Sequence, residues 1–239
     1  EKIGTINFYL TIPIFIFIFY LFGISVPSMR FENFMVGSSG FWFLPYGVWL
    51  FSLGGFASLP EARDIMKGAS LSDFRRVIIW SLVVSAAVYW IFVVSVLGVT
   101  GTLTSEDALT GLAGIIGFPA LVAGSIIGLI AVFTSYIALA ADMKSIFSFD
   151  YGFKSWSGWL LSILPPPLLF FLGFQNLIPI LGFVGTVGLG ILGIFVIEMS
   201  RRLHQVFPEH NHRLLGPKKW LRWVLTIGLI AGVILEIWS

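Results

Sequence analysis

The sequence contains no cysteine, which excludes disulfides, thiolate nucleophiles and thiolate metal sites and leaves the redox compartment unmarked. Charge is scarce too. Asp, Glu, Lys and Arg make up 11% of the 239 residues, whereas a soluble domain carries about 25%. Histidine is confined to His204, His210 and His212 in one basic stretch, HQVFPEHNHR. That stretch lacks catalytic zinc spacing and reads as a solvated loop. No apolar run therefore holds an imidazole to activate a serine. Gly37-Ser38-Ser39-Gly40 matches a protease GxSG, but it falls in a connection between apolar runs. No phosphate-cradling loop is present, and the net charge of +2 is too small and too loop-bound to suggest nucleic acid. Neither an enzyme nor a resident cofactor or metal is expected.

What is abundant is apolar length. Hydrophobic residues are 57% of the chain and mean hydropathy is +0.96, a composition that belongs in a lipid bilayer. A spanning helix needs about 20 apolar residues. Seven stretches qualify: Thr5–Ile24, Phe41–Met66, Phe74–Val99, Phe118–Phe147, Trp156–Phe174, Leu177–Met199 and Trp220–Trp238. Each is too long for a strand, so an all-α polytopic membrane protein is expected rather than a barrel. Trp42, Trp156, Trp159, Trp220, Trp223 and Trp238 fall at span ends, as an aromatic belt requires.

Basic residues then set the orientation. Arg63, Lys67, Arg75 and Arg76 follow the second span, Lys144 and Lys154 the fourth, and Arg201, Arg202, Arg213, Lys218 and Lys219 the sixth. The alternate connections hold only Arg30. This asymmetry starts the first span in the cytoplasm and ends Ser239 outside. The chain opens on Glu1 a few residues before an apolar run, and it reads as part of a longer protein.

The second span interrupts itself. Phe51-Ser52-Leu53-Gly54-Gly55-Phe56 is followed by Pro60-Glu61, and paired glycines weaken helix and release backbone groups. Leu44 to Gly54 is ten residues, or ~15 Å of helix, which sets the break near the middle of a ~30 Å core. Free peptide groups and half-helix dipoles there suit a zwitterion, with Phe51 and Phe56 as apolar walls and Ser52 as a hydroxyl. A kink that only aids packing is the alternative. Glu61 lies ~9 Å further toward the cytoplasm and is either a gate residue or an interfacial acid beside Arg63 and Asp64.

Thr134-Ser135 sit near the middle of the fourth span. Their hydroxyls either supply two oxygens to a cation such as Na⁺ or bond back to the preceding turn. Gly124-Ser125-Ile126-Ile127-Gly128 is a GxxxG suited to close helix contact. Gly182, Gly185, Gly188, Gly190 and Gly193 line the sixth span for the same purpose. Pro165-Pro166-Pro167 demand a local break in the fifth span. In the external connection, Thr104 or Ser105 is placed to cap a surface helix over 104–117, with Glu106 and Asp107 in its first turn. An ordinary structured loop is the other reading.

The second span resembles the sixth helix of amino acid permeases in the amino acid/polyamine/organocation superfamily. It is most similar to the amino acid/auxin and aromatic amino acid permease branches, through Phe51-Ser52-Leu53-Gly54-Gly55 and Leu59-Pro60-Glu61. FTSYIALAADMKSIF, with Thr134-Ser135, resembles that family's eighth helix, and NLIPILGFVGTVGLGILGIFVIEM its tenth. The resemblance implies a leucine-transporter-type inverted-repeat fold lacking its first four helices. Residues 1–26 would be the last helix of the first repeat, and 27–203 the second repeat, with its broken helix at 41–66 and a lid at 104–117. Residues 204–239 would be a cytoplasmic loop and an eleventh helix.

It further implies alternating-access transport of an amino acid in the plasma membrane, coupled to Na⁺ or H⁺. Substrate would be held by Phe51, Ser52, Gly54, Gly55 and Phe56, with Thr134 and Ser135 at a sodium position. The missing N-terminal helices of the same protein would supply the other half of both sites. A membrane scaffold or assembly subunit, in which the glycines only pack helices, is the competing expectation.

Overall fold

The computed structural model describes residues 2–35, 43–206 and 219–238, with side chains for all of these except 2–7, 57, 61, 115, 116 and 204–206. Among the described residues there is helix and no strand. Five helical segments are long and apolar enough to cross a membrane: Phe8–Ser28, Leu71–Leu103, Phe118–Phe149, Leu177–Leu203 and Lys219–Trp238.

The second and fifth expected spans do not join this set, because each is cut into short pieces. In the second, α2 (Leu44–Leu53) gives way to a 3₁₀ turn at Gly55–Ser58 and then α3 (Leu59–Ile65). In the fifth, α7 (Ser155–Ile163) and α8 (Pro165–Phe171) meet at Leu164. The physical cause is the one each sequence carries, a glycine pair in the first case and three prolines without N–H groups in the second. The Gly37–Gly40 motif, Phe41, Trp42 and the loop bearing His210 and His212 lie outside the described residues.

The chain forms two compact units, each assembled from two stretches. One takes Glu1–Gly37 and Val84–Gln175. It holds α1 (Lys2–Ser25), the C-terminal part of α4 (Leu71–Thr100), α5 (Ala113–Ile116), α6 (Phe118–Phe149), α7 and α8. Its buried cluster is Leu21, Val96 and Leu112, with Ile24, Phe92, Val99 and Ala108 packed against it. Asn33 donates to the Gly98 and Val99 carbonyls at 2.8 and 3.1 Å, filling acceptors that the end of α4 leaves unpaired. Only the first glycine of the GxxxG is packed here: a Cβ at Gly124 would strike the Phe17 ring, whereas one at Gly128 would meet nothing within 4 Å.

The connection between α4 and α6 differs from the expected single helix over 104–117. Helix begins only at Thr110, as a 3₁₀ turn to Leu112 and then α5. Ser105 donates to Asp107 at 2.6 Å and accepts the Gly111 N–H at 2.8 Å, while Asp107 accepts from the Thr110 N–H at 3.2 Å and from its hydroxyl. Those side chains close a turn that outcompetes helix at 104–109. The Ser105 hydroxyl, followed by that of Thr110, holds the Asp107 carboxyl below its ordinary range.

The other unit takes Ser38–Val83 and Asn176–Ser239. Its elements are α2, α3, the start of α4, then α9 (Leu177–Phe183), a π-helical segment (Val184–Leu189), α10 (Gly190–Val206) and α11 (Lys219–Trp238). Ser70 caps the start of α4, its hydroxyl accepting the Asp73 N–H at 3.1 Å and donating to the Asp73 carboxylate at 2.7 Å.

Candidate functional site

The break sits where expected in the chain. α2 stops at Leu53, Gly54 turns at φ −77°, ψ 63°, and its N–H reaches the Phe51 carbonyl at 3.2 Å. This is an inverse γ conformation, open to any residue, so glycine is required here by space. A Cβ at Gly54 would collide with Leu189 Cδ1 and lie 2.7 Å from the Leu50 carbonyl oxygen. Gly55 is open: its Cβ would meet only Ser58 Oγ, at 3.6 Å. Pro60 stands in the first turn of α3, where a missing N–H costs nothing, so the chain re-enters helix there.

The hydroxyls at the break serve the backbone. Ser52 donates to the Val48 carbonyl at 2.8 Å, and Ser58 to Gly55 at 2.9 Å. Phe51 is 43% exposed on its unit. Glu61 is the third residue of α3.

α2 lies along the sixth span in parallel. Leu44 meets Gly182, Gly47 meets Gly182 and Gly185, Phe51 meets Gly185, and Gly54 meets Leu189. The approach is backbone to backbone: a Cβ on Gly47 would strike the Gly182 carbonyl, and one on Gly185 the Gly47 carbonyl. Opposite this crossing the sixth span leaves α-helical hydrogen bonding and becomes π-helical over Val184–Leu189. Such segments appear often at functional sites. At its centre Thr186 is fully buried, and its hydroxyl has no hydrogen-bond partner. The π segment thus packs along the last two turns of α2, and its final residue, Leu189, touches Gly54 where α2 ends.

Sequence reasoning assigned the sixth-span glycines to packing and passed over Thr186. The available signal was a lone hydroxyl between glycines in VGTVG. α11 completes the unit. Tyr46 lies on Gly232 and donates to the Gly228 carbonyl at 3.3 Å, while Gly190 and Gly193 face Val233 and Leu229, so α10 and α11 are antiparallel.

Thr134 and Ser135 belong to the other unit, midway along α6. Thr134 donates to the Ile130 and Ala131 carbonyls at 2.9 and 3.0 Å, and Ser135 is exposed on that unit's surface. A hydroxyl that donates backward keeps its oxygen lone pairs for a cation. Among the described residues no group of three His, Cys, Asp or Glu side chains is arranged to hold a metal. No family model, no curated protein and no solved structure matches this chain.

Proposed function

We propose that this chain works in secondary active transport of amino acids by alternating access, coupled to Na⁺ or H⁺, with the substrate held at the interrupted second span. The observation that carries the reading is the loss of α-helix at Gly54–Ser58, which begins where Gly54 touches Leu189, the last residue of the π segment Val184–Leu189. Irregular backbone at membrane depth is tolerated where it lines a cavity or is buried in protein, and carriers hold solutes at such breaks. On this reading the interrupted second and fifth segments also cross the bilayer, making seven crossings of a leucine-transporter-type fold without its first four helices. The parallel run of the second and sixth segments, and the antiparallel return of α11, fit the alternation those crossings require. Phe51, Ser52, Gly54, Gly55 and Phe56 would contact substrate. Thr134 and Ser135 would offer oxygens to the coupling ion, and Glu61 would serve a cytoplasmic gate.

A membrane scaffold is the second reading. It is favoured by the contacts of Gly47 with Gly182 and Gly185, which close packing alone explains, and by hydroxyls already bonded to their own helices. Uptake of labelled amino acids by the full-length protein in proteoliposomes, under imposed Na⁺ or H⁺ gradients, separates the two. Gradient-driven accumulation supports the carrier; its absence from a folded, correctly inserted protein supports the scaffold.

A further inference from the structure

The C-terminal end of α10 and the N-terminal end of α11 enclose a cleft of about 510 Å³ lined by Glu198, Arg201, Lys219, Arg222, Trp223 and Thr226. Three cations share it with one carboxylate among these residues, and that carboxylate is already engaged. Glu198 bridges Arg201 at 3.5 Å and, outside the cleft, Arg202 at 3.3 Å. Arg222 Nη1 is shut off from water and has no hydrogen-bond partner. A sealed guanidinium nitrogen beside two further cations is costly unless an anion enters.

We propose that this cleft binds the phosphate of an anionic membrane lipid. Arginine's planar fork matches two phosphate oxygens, Lys219 adds a point charge, and the start of the twenty-residue α11 adds its dipole. The surroundings select lipid over soluble phosphate. Trp223 lines the cleft and is exposed, as interfacial anchors are, and Phe195, Met199, Trp220 and Ile227 are exposed on the same two helices. Phosphate at the basic end and acyl chain along the apolar flank would satisfy both halves of the surface. The basic connection that follows the sixth span assigns this end to the cytoplasmic leaflet, where anionic headgroups attract clustered cations. The inference is independent of the transport reading.

The test titrates phosphatidylglycerol, phosphatidylcholine or inorganic phosphate into the full-length protein in neutral detergent. Thermal unfolding is followed, and bound lipid is counted by native mass spectrometry. Saturable retention and stabilisation by phosphatidylglycerol alone are expected. Arg222→Gln should weaken that binding about tenfold, the loss of one charge-assisted bond, with Lys67→Gln as an unaffected surface control. Should Arg222→Gln not fold, Arg201→Gln, whose side chain is more than half exposed, carries the same expectation. Equal phosphatidylglycerol effects in wild type and cleft variants, or equal effects of the two lipids, overturn the proposal. So does stabilisation by inorganic phosphate that accounts for the whole lipid effect, which would mark a soluble-anion site.

Discussion

The Tyr136 hydroxyl on α6 donates to the Ile163 carbonyl at the end of α7, at 2.5 Å. In an unbroken helix that carbonyl would receive the N–H of residue 167, but residue 167 is proline and has none. A side chain from the neighbouring helix thus fills the acceptor that the Pro165-Pro166-Pro167 run vacates. The break is therefore satisfied from within the protein and needs no water at that carbonyl.

Tyr136→Phe should therefore lower stability by about 1 kcal/mol, between the ~0.6 averaged by membrane hydrogen bonds and the cost of a bare buried acceptor. Denaturant titration in mixed micelles measures it, and hydrogen exchange should rise in α8. A loss below the error of the titration would mean that Ile163 finds another donor.

At the Gly47–Gly185 crossing, a methyl group has nowhere to go, since each Cβ would enter the other helix's backbone. Gly47→Ala and Gly185→Ala should each destabilise by about 2–3 kcal/mol. Gly128→Ala and Gly228→Ala meet nothing within 4 Å. They should stay within about 0.5 kcal/mol of wild type or gain from better helix propensity. Thermal melts of the four variants rank them directly. Equal effects across the set would contradict the packing described.

Apolar length was enough to locate the long helices, and the expected fourth span begins at Phe118 as α6 does, where a positive-φ Gly117 and Pro119 fix the start locally. The interruption at Gly54-Gly55 was legible for the same reason, whereas the restart of helix at Leu59 was not anticipated. The π segment was not, because its hydrogen bonding accompanies a close crossing with Gly47 from a distant part of the chain. The Tyr136 bond joins residues 27 apart and has no periodic signature. Over 104–109 the correct capping residues were named in the wrong role: Ser105 and Asp107 serve a turn whose helix starts at Thr110.

That turn carries a pH dependence. The Asp107 carboxyl is held below its ordinary value, chiefly by the Ser105 hydroxyl. The folded form therefore binds the proton less readily than the unfolded one. The stabilisation is full above the unfolded value of about 3.9 and is lost as pH falls through the lower folded value. Amide exchange at Thr110 and Gly111 should accelerate, relative to its intrinsic rate, across that acid window and stay protected at neutral pH. Ser105→Ala should shift the window upward and expose the Gly111 amide even at pH 7. An exchange profile that ignores both pH and Ser105 would detach the turn from this carboxylate.

The carrier reading makes its sharpest demand at Gly55. Because a Cβ there meets only Ser58 Oγ, at an ordinary contact distance of 3.6 Å, Gly55→Leu should leave expression, insertion and melting temperature close to wild type. The same substitution fills the break with a side chain where substrate backbone atoms would have to sit, so uptake in proteoliposomes should vanish. Gly54→Ala cannot make this distinction, since its methyl strikes Leu189 and damages folding as well as function. Ser135→Ala, on the exposed face of α6, should weaken the Na⁺ dependence of uptake if sodium couples and leave it untouched if protons do. Normal uptake by a well-folded Gly55→Leu protein would remove the second span from the substrate path.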